Sequence, residues 1–149
     1  MKRKQMLPPT YLLLALVLMA LLHLLIPLVR FVPTPWNLLG IIPLACGIAL
    51  NLLADRAFHQ VETTVKPFET SSALITTGVF RISRNPMYLG YMLILIGVGL
   101  LLRSLTPFVV IPVFGLLMDR VFIQVEEQML QGTFASMWQS YAGQVRRWI

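Results

Sequence analysis

Residues 84–120 read RNPMYLGYMLILIGVGLLLRSLTPFVVIPVFGLLMDR. From Pro86 to Leu102 the stretch carries no charge, and Asn85-Pro86 ahead of it is a helix start with a mechanism: asparagine suits the N-cap and proline suits the first helical position. Arg103-Ser104 with Pro107 then marks a tight reversal, after which the chain is apolar again until Asp119 and Arg120. Two such runs back to back match a bilayer, where the backbone must satisfy its own hydrogen bonds and helices are the economical way to do so. The stretch predicts a helical hairpin crossing a membrane, with spans over 86–102 and 105–125.

Working outward, the chain opens Met1-Lys2-Arg3-Lys4 and enters an apolar run from Tyr11 to Val29. The run is too long for the core of a secretory signal and no small-residue cleavage site follows it, so it predicts a first span over 10–30. Two prolines between Phe31 and Pro35 make a turn, Trp36 is an interfacial anchor, and a second span covers 36–54. Residues 55–85 are polar and mixed and form a long loop. After the hairpin, residues 133–149 place Phe134, Met137, Trp138, Tyr141, Val145 and Trp148 at helical spacing, which predicts an amphipathic helix on the membrane surface or capping the bundle. Four spans put Lys2, Arg3, Lys4, Arg56, Lys66, Arg81, Arg84, Arg120, Arg146 and Arg147 on one side and only Arg30 and Arg103 on the other. Positive charge stays inside during insertion. The expected fold is therefore an all-α integral membrane protein with four transmembrane helices, both termini cytoplasmic, and one domain over 1–149 in the cytoplasmic membrane.

Composition agrees: of 149 residues 57% are hydrophobic and 12% charged, where a soluble domain carries about a quarter charged. The net charge of +6 does not point to nucleic acid, because the basic residues are scattered between apolar runs. Cys46 is the only cysteine, and His23 and His59 lack partners at metal spacing, so no metal site is expected.

All six acids, Asp55, Glu62, Glu69, Asp119, Glu126 and Glu127, fall on the predicted cytoplasmic side. The free amides at Met87 and Tyr88, with the positive end of the helix dipole, suit a carboxylate or other electron-rich group. Asp119 and Glu126 are seven residues apart and share a helix face, which turns Glu127 away. Carboxylates there accept hydrogen bonds from hydroxyl or ammonium groups. Arg120 reads as an ion-pair partner of Asp119, or as a cation at a cavity mouth that holds an anionic substrate. Gly90, Gly97 and Gly99 fit close helix packing. Hydrolase, P-loop and dinucleotide-binding signatures are absent from the sequence.

Together these features resemble the isoprenylcysteine carboxyl methyltransferase and phospholipid methyltransferase families, as a short bacterial-type chain. The likeness rests on Leu74-Ile75-Thr76-Thr77-Gly78-Val79-Phe80, Arg84 to Gly90, the Glu126-Glu127 pair with Leu130, Phe134, Trp138 and Tyr141, and the closing Arg147-Trp148-Ile149. It implies S-adenosylmethionine as methyl donor, bound by Ser72, Ala73, Leu74, Ile75, Phe80, Asn85, Pro86, Met87, Tyr88 and Glu126. It also implies a hydrophobic or lipid-like methyl acceptor reached from the bilayer, with no metal. Arg120, Asp119 and Glu127 are the candidates for catalysis, Arg120 as anion holder and the two acids as proton acceptors. The chain departs from the pattern at Asn85, where eukaryotic members have histidine, at Phe122, where they have a substrate-binding arginine, and at Ala135, where glycine is usual. The competing readings are a non-catalytic membrane scaffold that keeps the fold and a four-helix transporter. A transporter needs an ionisable group deep in a span, and the first two spans offer only His23.

Overall fold

A computed structural model describes residues 6–64, 69 and 71–149. Helix α1 covers Pro8–Leu25 and α2 covers Ile41–Gln60, the latter led by a 3₁₀ turn at Trp36–Gly40. Helix α3 is Pro86–Leu102, α4 is Val110–Met118 after a 3₁₀ turn at Thr106–Val109, and α5 is Gln124–Gln144. A π-helical turn at Asp119–Ile123 joins α4 to α5, and the helical stretch continues to a kink at Ala135 before its last residues to Gln144. Among the described residues there is no strand, only a single bridge between Arg30 and Ser104.

Three of these helical stretches, Pro8–Leu25, Trp36–Gln60 and Thr106–Gln144, are long and apolar enough to cross a membrane, and Pro86–Leu102 is a shorter apolar helix. Their outward faces are apolar as well: Leu25 is 76% exposed and Leu116 is 64% exposed, which suits contact with lipid rather than water.

Several boundaries differ from the sequence reading. The first helix stops at Leu25 instead of reaching 30, because Pro27 pushes Ile26 out of the helical region, to φ −135° and ψ 62°. The second helix continues to Gln60 and carries Asp55, Arg56 and His59 on a last turn that the sequence reading gave to the loop. Of the amphipathic helix expected over 133–149, a helical segment is found from the kink at Ala135, where the backbone leaves the helical region, to Gln144, leaving 145–149 non-helical. The basic residues 2–4 and Lys66 lie outside the described residues.

At one end of the bundle the α1–α2 and α3–α4 connections are laced together. The Phe31 amide donates to the Arg103 carbonyl at 3.2 Å, the Leu105 amide to Val29 at 2.9 Å, and His23 Nδ1 lies 2.8 Å from the Ser104 hydroxyl. Helices α2 and α3 pack through glycine: a Cβ on Gly97 would meet the Gly40 carbonyl at 2.6 Å, so only hydrogen lets the backbones come this close. The main core gathers Met19, Tyr88, Tyr91, Leu95, Phe114, Met118, Phe122 and Ile123. A second cluster, of Ala54, Ile75, Phe80, Trp138 and Tyr141, sits at the other end of the bundle. Both clusters contribute walls to one cavity.

Candidate functional site

The floor of the cavity is the beginning of α3. Pro86 sets the first helical position and Asn85 flanks it, yet the Asn85 side chain does not cap its own helix. Its Nδ2 donates to the Arg147 carbonyl at 3.1 Å, while the Asn85 amide donates to the Ser83 hydroxyl at 3.0 Å. The first-turn amides are therefore left without a side-chain partner from the cap, and Pro86, Met87 and Tyr88 line the cavity.

The opposite wall is the first turn of α5, whose bearing is set by the π turn before it. A π turn takes in about one more residue than an α turn and so rotates everything after it. The simple i, i+7 count paired Asp119 with Glu126; the extra residue instead lines Asp119 up with Glu127. One guanidinium joins those two: Arg147 Nη1 donates to Asp119 at 3.0 Å, and its Nε and Nη2 donate to the two Glu127 oxygens at 3.2 and 2.6 Å. Glu126 is swung the other way, into the cavity. Its Oε1 accepts the Tyr88 hydroxyl at 2.7 Å, closing a bridge from α3 to α5. Its Oε2 has no hydrogen-bond partner among the described residues.

A third wall comes from the polar loop. Ala73, Leu74 and Ile75 line the cavity, followed by Phe80, whose carbonyl accepts the Tyr141 hydroxyl at 2.7 Å. That bond fixes the loop against α5. Arg84 lies over the Trp138 ring at 5.5 Å and reaches Glu127 at 3.5 Å, with its buried Nε lacking a hydrogen-bond partner. The neighbouring carboxylates hold the Arg147 guanidinium above its ordinary range, with the Glu127 hydrogen bonds the largest cause, so it stays cationic at every working pH.

The cavity measures about 350 Å³. That is within the roughly 300 to 1,000 Å³ usual for small-molecule sites. Of the residues the sequence singled out, Ala73, Leu74, Ile75, Phe80, Asn85, Pro86, Met87, Tyr88, Glu126 and Glu127 are on its lining. Three are not. Ser72 is exposed and its amide donates to the Thr63 hydroxyl; Asp119 is withdrawn into the Arg147 ion pair; Arg120 is exposed on the far side and is not the partner of Asp119. Sequence reasoning missed Asp55 and Glu69 as lining residues, together with Leu7, Pro8 and Pro9 at the start of α1. Asp55 was within reach, since an acid in the last turn of an apolar helix faces whatever that helix end borders. Nothing local signalled the others.

Among the described residues no cluster of histidine, cysteine or acids could hold a metal ion. The groups present do fit S-adenosylmethionine: a cavity of the right size carries first-turn amides that no side chain caps and a carboxylate oxygen free to accept, with Arg84 on its lining.

No curated protein and no solved structure matches the chain. The family model for phospholipid methyltransferase matches residues 36–137, from the tryptophan that opens the second helical stretch to the residues just past the α5 bend, taking in both the α3 start and the glutamate pair. The chain belongs to the phospholipid methyltransferase family, whose chemistry is methyl transfer at membranes.

Proposed function

We propose that the protein transfers the methyl group of S-adenosylmethionine to a lipidic or hydrophobic acceptor at the cytoplasmic face of the inner membrane, as one four-span domain with both termini inside. The observation that carries this reading is the Tyr88–Glu126 bond across a cavity that the polar loop also walls. Glu126 Oε2 would accept from the donor's ribose hydroxyls or ammonium group, the α3 amides and Arg84 would take its carboxylate, and Ala73 to Ile75 with Phe80 would flank its nucleoside. The lining residues include four acids, Asp55, Glu69, Glu126 and Glu127, which suits a ligand bearing sulfonium and ammonium charges.

The reaction needs alignment more than activation. The acceptor–carbon bond forms as the sulfur–carbon bond breaks and its electron pair returns to sulfur. A neutral nucleophile also gives up a proton, and Glu127 is the one of the two candidate acids on the lining, although its pairing with two guanidinium groups weakens it as a base. Holding the partners in line is worth up to roughly 7 to 11 kcal/mol in favourable systems. Phe122 is 1% exposed and stacked on Tyr88 at 6.2 Å, where the resemblance would put an arginine. Without that arginine the position offers no cation to hold a carboxylate, so an acceptor lacking one suits the chain better than an isoprenylcysteine does.

The test is the unfolding midpoint of the detergent-purified chain with and without S-adenosylhomocysteine. A ligand at 100 times its Kd adds about 2.7 kcal/mol to a reversible two-state folder. The midpoint should rise, and the rise should vanish in Glu126→Ala. No shift at saturating ligand would favour a scaffold that kept the fold without the activity.

A further inference from the structure

We infer that Arg147 is a positioning residue for the donor cavity, acting through Glu127 to hold Glu126 at its place on the wall; this rests on the methyltransferase reading above. Arg147 is the point where the two walls meet. Its carbonyl accepts from the Ser83 hydroxyl and from Asn85 Nδ2, both at 3.1 Å, on the segment that leads into α3. The adjacent Arg146 carbonyl accepts the Arg84 amide at 3.0 Å. Its side chain meanwhile grips Asp119 on the π turn and Glu127 on α5.

One residue therefore ties the α3 side to the α5 side, in parallel with the Tyr88–Glu126 bond that spans the same gap inside the cavity. The fork matters as well as the charge. Nε and Nη2 each take a different oxygen of Glu127, which fixes the rotation of that carboxylate and with it the bearing of the first turn of α5. Glu126 is the next residue on that turn. With the Arg147 fork gone, Glu127 keeps only the longer Arg84 contact at 3.5 Å, and Glu126 is held toward Tyr88 by its own bond alone, against the repulsion of a neighbouring carboxylate.

Isothermal titration of the full chain in detergent with S-adenosylhomocysteine reads this out in a double-mutant cycle. Arg147→Ala should weaken binding about tenfold, while the same change in a Glu127→Ala background should cost less than twofold, because the Arg147–Glu127 tie is already gone. If Arg147→Ala does not fold, Arg147→Lys serves the same cycle, since lysine keeps the charge and loses the fork. An unchanged Kd in the variant, or an equal loss in both backgrounds, overturns the positioning role even if the unfolding midpoint falls. Failure of the wild-type chain to take up the ligand overturns the donor reading and this inference with it; binding by the wild type with no effect of the Arg147 changes overturns this inference alone.

Discussion

Ala135 sits at φ 41° and ψ −110°, a backbone conformation that a side chain with a Cβ adopts at a cost. The position lies between Phe134, which packs on the loop-side cluster, and Trp138, which is buried in it, so the bend is what brings Trp138 and Tyr141 over the cavity. The family pattern prefers glycine here, and the geometry gives the reason. Strain of about 1 to 3 kcal/mol should outweigh the roughly 0.5 to 1 kcal/mol of chain entropy that glycine loses on folding. Ala135→Gly is therefore expected to raise the unfolding midpoint, by about 1 kcal/mol in stability, and a lower midpoint would mean that the bend is not strained. At Tyr88 the expectation has the opposite sign. Tyr88→Phe removes the donor from a carboxylate within the protein, and bonds to charged groups contribute about 1.5 to 3 kcal/mol, so its midpoint should fall in the ligand-free protein. An unchanged midpoint would show that Glu126 finds another donor. The resemblance put the tyrosine and the glutamate on one ligand, but the direct bond between them was not legible, because nothing in residues 88 and 126 encodes how closely two separate helices bring them.

Helices are legible in proportion to how local their causes are. Asn85-Pro86 and Arg103 bracket α3 in the sequence, and the helix is found at Pro86–Leu102, with Arg103 in the left-handed conformation at φ 67°. Gly90 and Gly97 were read as packing residues, and they face α2 as expected. The π turn was not legible. Asp-Arg-Val-Phe-Ile carries no proline or glycine to announce an extra residue, so the helical count ran straight through it and paired Asp119 with the wrong glutamate. The last helical segment was legible from the apolar spacing of Trp138 and Tyr141, and the kink at Ala135 marks its start; its stop at Gln144, short of residue 149, was not legible. The α2–α3 contact supports a prediction at this scale. A Cβ on Gly97 would lie 2.6 Å from the Gly40 carbonyl and 2.7 Å from the Leu44 amide, both backbone atoms that cannot swing aside. Gly97→Val should cost about 1 to 3 kcal/mol and lower the midpoint, whereas Gly132→Ala, in a helix with nothing within 4 Å of the new Cβ, should raise it slightly, by about 0.5 to 1 kcal/mol in stability.

For the whole molecule, the proposed orientation rests on the charge count along the chain and on the placement of the cavity. The Arg30 and Arg103 connections are bonded to each other at one end, and the loop, the acids and the cavity occupy the other. Positive charge is retained on the inner side during insertion, and among the described residues the cavity end carries Arg56, Arg81, Arg84, Arg120, Arg146 and Arg147 against Arg30 and Arg103 at the other. On the proposed reading the donor is water-soluble and made in the cytoplasm, so the cavity would open inward. Cysteine labelling tests the arrangement with little disturbance, because the chain has a single native cysteine and Thr34 and Ser72 are both exposed. In a Cys46→Ser background, Thr34→Cys should react with a membrane-impermeant maleimide added to intact cells. Ser72→Cys should react only after the cells are opened. Labelling of position 72 from outside would invert the topology, place the cavity where no methyl donor is supplied, and leave the family's chemistry without a route to its cofactor.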